Sequence, residues 1–194
     1  MSDTRKTHRL SLQTMTPEAF ADYGTLLTPA SKEPSDYADA DSEGWRSRVA
    51  IDGTPELIMV RTRFVGLRFS RLEQHTNVTQ AFIPVGGVPA AVAVARSHDG
   101  TDAPPLASAV RAFALAQGTA YILGAGIWHS LDRYPLREGH VDVVMLTAVE
   151  TTNEAREVDP SRWRLTREVD YRHHAGVVFE IAFDQDDSRA ESSS

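Results

Sequence analysis

The sequence predicts an all-β protein whose short strands form one small barrel or sandwich. From residue 48 onward, eight runs rich in apolar and β-branched side chains are separated by Gly, Pro, Asp and Asn. The runs recur about every eight to fifteen residues, which is typical of sandwiches and barrels and not of alternating strands and helices. The predicted strands occupy residues 48–53, 55–64, 66–75, 79–87, 89–97, 110–118, 119–126 and 140–150.

The length and composition indicate one soluble domain. The chain has 194 residues, of which 41% are hydrophobic and 24% are charged. We expect residues 1–183 to form a single domain. Residues 184–194 are charged and serine-rich, so we expect them to be a disordered C-terminal tail.

The charge and the residue types exclude several classes of function. The formal net charge of −7 argues against a nucleic-acid partner, which requires a basic face. The chain has no cysteine, so it has no disulfide, no thiolate metal site and no cysteine nucleophile. No apolar run approaches the roughly 20 residues that span a bilayer, and the first residues do not resemble a secretory signal. We therefore expect a cytoplasmic protein without a membrane partner.

The N-terminal region predicts one short helix. Residues 1–9 are expected to be loose and residues 10–15 to form a strand. Thr16 is a helix N-cap, Pro17 occupies the first helical position, and Gly24 is a terminator. Residues 28–45 are rich in Pro, Ser and Asp and predict a long loop, either a solvated surface segment or a lid.

The C-terminal third predicts further strands. In the strand at residues 140–150, apolar side chains occur at both parities, which favours coverage on both faces. Residues 151–160 are polar and predict a connection. Residues 161–183 predict one more hairpin that turns near residues 174–176.

The strand at residues 66–75 predicts a polar mouth at one end of the barrel. Because side chains alternate between the faces of a strand, His75 shares a face with Arg71 and Glu73. The apolar residues at positions 65, 67 and 69 have the same parity. We therefore expect this face to begin in the core and to end among polar side chains.

Two stretches resemble the paired motifs of the cupin superfamily. The first contains His75-x-Asn77, then Gln80, then Gly86-Gly87. The second contains Gly118, five residues, Gly124-x-Gly126, two residues and His129. The resemblance implies a cupin-type β-barrel, or double-stranded β-helix, in which two hairpins direct their polar side chains into one pocket.

Within the cupins, the sequence is similar to the ureidoglycolate lyase family. The similarity lies in Leu72-Glu73-x-His75 followed by TQAFIP at residues 79–84, and in Trp128-His129 followed by Pro135. Residues 16–24 also resemble the start of that family. The chain departs from the family at Ser130, where a second histidine is usual, and in the strand that follows.

The resemblance implies a carbon–nitrogen lyase that cleaves ureidoglycolate to glyoxylate and urea in purine and allantoin degradation. It also implies a homodimer. This chemistry requires a base for the substrate hydroxyl and a proton donor for the leaving nitrogen. It also requires a binding site for the carboxylate that is cationic or rich in hydrogen-bond donors. His129 is the first candidate for acid–base catalysis, because imidazole titrates near neutral pH. His75 is the second candidate, as the partner acid or base or as a ligand.

Five other residues are candidates for binding a small carboxylate substrate. Gln80 can hold the carboxylate or the urea group through its amide. Arg71 or Arg68 can bind the carboxylate, and strand parity favours Arg71. Tyr121 and Trp128 are candidates for the walls of the pocket.

The residue types at the motif positions predict no tightly held metal cofactor. The typical cupin site uses three histidines and a glutamate, but Asn77 and Gln80 stand at two of those positions. Amides are poor ligands for transition metals. His75, Gln80 and His129 could still hold a weakly bound divalent ion. Equimolar Mn, Ni, Zn or Fe that copurified and was needed for activity would contradict the expectation.

Two alternatives to this lyase follow from the same residues. A divergent cupin could catalyse another reaction on a small carboxylate, as an isomerase or a metal-dependent oxygenase. It could also bind a small carboxylate without catalysis. Release of urea and glyoxylate from ureidoglycolate distinguishes the lyase from both.

Overall fold

A computed structural model describes residues 6–29, 34–98 and 103–183. The predicted disordered tail at residues 184–194 lies outside these ranges, as does a small part of the predicted loop at residues 28–45. The strands of the N-terminal half are β1 (Lys6–Thr14), β2 (Gly24–Leu27), β3 (Tyr37–Ala38), β4 (Glu43–Gly44), β5 (Pro55–Arg63), β6 (Arg68–Phe69), β7 (Arg71–His75), β8 (Gln80–Gly87) and β9 (Ala90–Ala95). The remaining strands are β10 (Arg111–Leu115), β11 (Ala120–Leu123), β12 (Trp128–Ser130), β13 (Tyr134–Pro135), β14 (His140–Ala148), β15 (Thr166–Asp170) and β16 (Val177–Ala182).

The helices among residues 6–29, 34–98 and 103–183 are short. They are α1 (Pro17–Phe20), α2 (Val149–Ala155) and α3 (Tyr171–His174), with 3-10 turns at Ala107–Ala109 and Pro160–Arg162. No helix among the described residues is long and apolar enough to cross a membrane.

Two curled sheets form the body of the protein. The larger sheet has the order β15-β7-β12-β9-β10-β1-β16-β6, with β13 also paired to β9. The smaller sheet has the order β2-β11-β8-β14-β5. A separate two-stranded ribbon of β3 and β4 lies within the predicted loop at residues 28–45.

The chain crosses between the two sheets at both predicted motifs. β7 lies in the larger sheet and β8 in the smaller one, whereas β11 lies in the smaller sheet and β12 in the larger one. In addition, β7 pairs with β12 and β8 pairs with β11, all antiparallel. Two hairpins wound around each other in this way form a double-stranded β-helix. The all-β, cupin-type prediction is therefore confirmed.

Strand β9 separates two apolar cores. Ala91, Ala93 and Ala95 contact a cluster built around Leu72, Trp128 and Phe179. The alternate residues of the same strand face a second cluster between the sheets, built around Phe20, Phe82 and Tyr121. The strand predicted to be covered on both faces was β14, but its Val144 and Leu146 are only partly buried. The strand that is covered on both faces is instead β9.

The structure confirms the short N-terminal helix that Thr16 and Pro17 predict. Thr16 Oγ1 accepts a hydrogen bond from the backbone N–H of Ala19 at 3.2 Å, and Phe20 is fully buried. Gly24 begins β2 in close contact with β11, since a Cβ there would lie 1.8 Å from the carbonyl oxygen of Ile122. The structure differs before residue 10, where the expected loose segment continues β1 back to Lys6 and pairs with β16.

One prediction for the C-terminal third is wrong and one is incomplete. Residues 151–160 do lie in the connection between β14 and β15, but this segment begins as helix α2, which is fixed at its start because Thr54 donates from its backbone N–H to Glu150 at 2.8 Å. The predicted hairpin at residues 161–183 contains two strands, but they do not pair with each other. β15 pairs with β7, and β16 pairs with β1 and β6. Pairing with distant strands is not visible in a local pattern of alternation.

The polar mouth arises differently from the prediction. The predicted strand at residues 66–75 is interrupted at Ser70, between β6 and β7. Phe69 and Leu72 both contact the core that includes Phe179, although their parities differ. The interruption therefore exchanges the two faces, and Glu73 and His75 lie on the side opposite to this core.

Candidate active site

A small cavity lies between the two sheets at the motif end of the β-helix. Its volume is about 130 Å³. It is lined by Val60, Thr62, Glu73, His75, Gln80, Phe82, His129, Leu131, Arg133, Val143, Met145, Thr147, Thr151, Thr152 and Ala155. We refer to it as the cavity. Most of the accessible surface of its wall is apolar, although several lining residues carry polar groups. Of its ionisable side chains, His75, His129 and Arg133 are buried.

Three ionisable side chains converge on one wall of the cavity. Glu73 and His75 lie two residues apart on the same face of β7, and the strand register places His129 of β12 directly opposite Glu73. Glu73 Oε1 lies 3.7 Å from His75 Nε2 and 3.7 Å from His129 Nδ1. The two imidazole rings are 5.3 Å apart between centroids. The side chains of both histidines are about 5% exposed.

A residue of the neighbouring strand fixes the orientation of the His75 imidazole. In the β7–β15 register it is paired with Thr166, whose Oγ1 lies 3.0 Å from His75 Nδ1. Thr166 is itself fixed, because its backbone N–H donates to the Glu154 carboxylate at 2.7 Å. These contacts occupy Nδ1 and leave Nε2 directed toward Glu73. Partners of this kind set the orientation of a functional imidazole.

His129 is a buried, neutral imidazole with an unused nitrogen. Its Nδ1 lies 3.1 Å from the carbonyl oxygen of Ser130, and its Nε2 has no hydrogen-bond partner among the described residues. Burial lowers the pKa of His129 to about 3, although Glu73 opposes the shift. With Nδ1–H donating to a carbonyl, Nε2 presents a lone pair to the cavity.

Glu73 remains ionised despite its burial. Burial alone would raise its pKa, but the interaction with the neighbouring His75 imidazole and the positive charge of Arg133 outweigh that effect. The pKa of Glu73 is therefore held below its ordinary value. The cluster contains a carboxylate anion in contact with two imidazoles.

The opposite wall presents hydroxyl and amide groups. Gln80, at the start of β8, donates from Nε2 to Thr147 Oγ1 at 3.1 Å. Helix α2 adds Thr151 and Thr152 to the lining. Thr151 donates to Asn77 Oδ1 at 3.1 Å, which ties this helix to the corner after β7.

Arg133 is buried at the edge of the cavity, in the loop between β12 and β13. Its Nε donates to the Tyr121 hydroxyl at 2.6 Å, and its Nη1 donates to the carbonyl oxygen of Ser130 at 3.0 Å. Its guanidinium carbon lies 4.0 Å from the centre of the Phe82 ring. The side chain therefore has one orientation.

Three of the predicted site residues, His75, His129 and Gln80, line the cavity, whereas the two predicted arginines lie elsewhere. Arg71 is half-exposed and forms two hydrogen bonds to the Glu168 carboxylate, at 2.6 and 2.5 Å. Arg68 is exposed and donates to Thr7 Oγ1 at 2.9 Å. Arg71 belongs to a neighbouring depression of about 910 Å³, which we call the outer groove. The outer groove is lined by Arg71, Glu73, Pro104, Trp128, Leu131, Ala155, Arg156, Glu157, Val158, Pro160, Trp163, Thr166, Arg167 and Glu168.

The two predicted aromatic wall residues support the site from outside the cavity lining. Trp128 is buried and donates from its indole nitrogen to Ser97 Oγ at 3.0 Å. Tyr121 is buried, stacks on Phe82 and accepts the hydrogen bond from Arg133. Asn77 does not join the histidines, since its amide donates to the carbonyl oxygen of Asp52 at 3.0 Å.

Sequence reasoning missed the site roles of three residues. Glu73 was assigned to the polar mouth by parity, but its position before His75 falls outside the usual motif, so it was not considered as a ligand. Arg133 follows the second motif in an irregular loop, where no periodicity indicates direction. Thr166 lies more than ninety positions after His75, and only the sheet register brings them together.

The cluster also fits a divalent metal ion. One potential ligand atom from each of Glu73, His75 and His129 lies within 4.8 Å of the others. His129 Nε2 is a buried nitrogen with no hydrogen-bond partner among the described residues. Two imidazoles and a carboxylate are ordinary ligands for Zn, Mn or Fe. The carboxylate comes from Glu73 and not from the Gln80 position, so the ligand set differs from the predicted one.

Comparison with known proteins identifies one family. The sequence profile described as "Ureidoglycolate lyase" matches residues 7–164, which is most of the chain. None of the curated proteins compared with the chain matches it significantly.

Solved structures similar to the chain are distant in sequence. An oxalate decarboxylase–formate complex from Lactobacillus farciminis is 13% identical, with a TM-score of 0.36, over 63% of this chain and 28% of that one. RmlC from Streptococcus suis with dTDP-D-xylose is 7% identical, with a TM-score of 0.33, over 70% and 64%. A point mutant of oxalate decarboxylase OxdC from Bacillus subtilis is 14% identical, with a TM-score of 0.36, over 76% and 35%. The match thus spans less than two thirds of each of these chains.

Proposed function

The chain belongs to the ureidoglycolate lyase family, and we propose that it cleaves ureidoglycolate to glyoxylate and urea in the cavity. The observation that carries this proposal is the buried cluster of Glu73, His75 and His129. A carboxylate and two imidazoles in one enclosed space suit a reaction in which a carbon–nitrogen bond breaks while one proton leaves an oxygen and one reaches a nitrogen.

The reaction needs one proton to leave an oxygen and one to reach a nitrogen. Removal of the hydroxyl proton allows the oxygen lone pair to form the C=O bond of glyoxylate while the carbon–nitrogen bond breaks. The electron pair of that bond goes to the nitrogen, which takes up a proton and leaves as urea. No water and no oxidant is consumed, so a single base that returns its proton is sufficient.

We assign the proton shuttle to His75, assisted by Glu73. His75 Nδ1 is engaged by Thr166, so Nε2 is the nitrogen available to the substrate. The Glu73 carboxylate, 3.7 Å from Nε2, stabilises the imidazolium that forms when the hydroxyl proton is taken up. The same imidazolium can then protonate the leaving nitrogen.

His129 was the first candidate for acid–base catalysis, but its environment favours a different role. A pKa of about 3 makes the imidazole a weak base near neutral pH. Its Nε2, which has no partner in the part of the chain that the structure describes, can instead accept a hydrogen bond from the substrate and hold the reacting carbon beside His75. Gln80, on the facing wall, is suited to the urea group, because an amide can both donate and accept.

A divalent ion held by Glu73, His75 and His129 would supply a Lewis acid that stabilises negative charge on a substrate oxygen. That use of His75 excludes the proton shuttle, because a lone pair given to a metal cannot accept a proton. The wild-type protein before and after dialysis against a chelator separates the two uses. Unchanged turnover supports the shuttle, whereas loss of turnover that is restored by one metal would contradict it.

The test of the proposed function is release of both products from ureidoglycolate. Purified protein should form urea and glyoxylate in equal amounts, measured separately by a urease-coupled assay and a hydrazone assay. Formation of glyoxylate with ammonia in place of urea, or no turnover of either enantiomer, would overturn the proposal.

We also propose a homodimer formed through the outer face of the smaller sheet. Leu57 and Met59 of the edge strand β5 are 69% and 62% exposed, and Ile83 and Val85 of β8 extend the apolar surface. A second copy of the chain would bury this face. Light scattering should give twice the chain mass for the wild type and a smaller mass for Leu57→Glu/Met59→Glu. A monomeric wild type would contradict it.

A cytoplasmic location stays a prediction. Fractionation of cells that express the untagged protein tests it, and recovery outside the cytoplasmic fraction would contradict it.

A further inference from the structure

We propose that Arg133 binds the carboxylate of the substrate, with Tyr121 as the residue that orients it. The inference rests on the proposed function for the identity of the substrate, but it concerns a binding site for any small carboxylate. No motif or strand pattern in the sequence points to Arg133.

Arg133 is the only lysine or arginine among the described residues that line the cavity. It is also close enough to the catalytic wall to act there electrostatically, since its charge contributes to lowering the pKa of both Glu73 and His129. Glu73 is the only carboxylate among the described residues that line the cavity, and it would repel a substrate of the same charge. The positive charge of Arg133 offsets this repulsion and favours binding of an anionic substrate beside the histidines.

The guanidinium is fixed before any ligand binds. Nε and Nη1 already donate to Tyr121 and Ser130, and the guanidinium carbon lies over the Phe82 ring. Nη2 has no hydrogen-bond partner among the described residues, and it is not fully buried. It therefore keeps a donor group for a ligand. A preorganised, partly desolvated guanidinium binds carboxylate more strongly than a flexible surface arginine.

The arginine favoured by strand parity does not compete for this role. Arg71 is occupied by Glu168 in a two-point ion pair and lies in the outer groove. To bind Arg71, a substrate carboxylate would have to displace the carboxylate of Glu168.

The test compares binding of glyoxylate with binding of glyoxylamide, which differs from it in having a neutral amide in place of the carboxylate. Calorimetry on the wild type should show at least about tenfold tighter binding of glyoxylate, the range for hydrogen bonds to charged groups. Arg133→Gln should lose this preference, and Arg133→Lys should retain only a small part of it. Tyr121→Phe, which removes the acceptor for Nε but keeps the ring, should weaken glyoxylate binding several-fold and leave glyoxylamide binding unchanged.

Arg71→Gln is the matched control and should keep the wild-type preference. Thermal unfolding checks that each variant is folded, and Arg133→Lys and Tyr121→Phe carry the test if Arg133→Gln does not fold. Equal binding of the two probes by the wild type, or a preference unchanged in Arg133→Lys, would overturn the proposal. These measurements need no turnover, so an inactive wild type with an Arg133-dependent preference would refute the lyase and support the carboxylate site.

Discussion

The cavity and the outer groove are neighbours that share Glu73, Leu131 and Ala155, but they differ in how their polar side chains are used. The outer groove is several times larger, with a volume of about 910 Å³ against about 130 Å³. In the groove, Arg71 is paired with Glu168 at the surface. In the cavity, His129 Nε2 is buried without a partner among the described residues.

This difference indicates where the chemistry lies. A paired charge at a surface has its hydrogen bonds satisfied and is weakly stabilising. An unpartnered buried nitrogen costs free energy, and such a group persists in a fold where it has another role. The smaller and more enclosed space is therefore the better candidate for catalysis, and replacements in the two regions should have very different effects.

The largest expected effect is at His75. His75→Asn keeps an amide near Thr166 but removes Nε2, so the proton shuttle is lost while the local packing is retained. We expect kcat for ureidoglycolate to fall at least about 100-fold, the lower range for loss of a general base. Steady-state kinetics measures this change, and a loss below about threefold in a folded variant would remove His75 from the mechanism.

The second effect is a pH-dependent stability due to His129. Its folded pKa of about 3 lies below the unfolded value of 6.5, so its contribution is fully present above pH 6.5 and is lost as the pH falls toward 3. Between pH 7 and pH 5 this residue alone should lower the free energy of unfolding by about 2 kcal/mol. Urea unfolding at both pH values, with a chelator present, measures the loss.

His129→Asn should remove that part of the pH dependence, because asparagine does not titrate. His173→Asn is the matched control, since His173 lies on the surface. The same pH dependence in His129→Asn and in the wild type would show that His129 is not held neutral by burial.

A smaller effect is expected at Thr166, which supports the cavity from β15. Thr166→Val removes the hydroxyl that lies 3.0 Å from His75 Nδ1 and should lower kcat about tenfold, as for other partners behind a functional imidazole. Thr166→Ser restores the hydroxyl and should restore most of the rate. If Thr166→Ser and Thr166→Val are equally slow, the effect is one of packing and not of the hydrogen bond. The residue is also informative because it lies beyond the family match, which ends at residue 164.

The smallest effect is expected in the outer groove. Arg71→Gln breaks a half-exposed ion pair, which should cost less than about 1 kcal/mol of unfolding free energy. Turnover of ureidoglycolate should stay within about twofold of the wild type, in contrast to His75→Asn. A large rise in KM for Arg71→Gln would show that the groove contributes to substrate binding and would remove the contrast between the two regions.

The sequence predicted the parts of the site that local spacing encodes. His75, Gln80 and His129 were expected in one pocket, and all three line the cavity. Gly126, in the second motif, has a φ of +79°, the left-handed conformation that a glycine permits in the turn before His129. Such turn residues and alternations act within a few positions of the chain, so they can be interpreted without coordinates.

Other parts depended on contacts between distant segments. The break at Ser70 reversed the faces of the strand that carries His75, and no residue type signals that break. Thr166 reaches His75 only because β15 pairs with β7, and Arg133 points into the cavity only because Tyr121 and Ser130 hold it there. Sheet register and irregular loops are set by the whole fold and not by a local pattern.

By itself, the sequence determined the β-helical class, the two motifs and the pair of histidines, because strand alternation and glycine turns are local properties. The tertiary structure decided which carboxylate joins the histidines, which arginine lines the cavity and how far burial lowers the pKa of His129. Those outcomes depend on burial and on distances between residues far apart in the chain. The free energy of a charged group is set by such surroundings and not by its sequence neighbours.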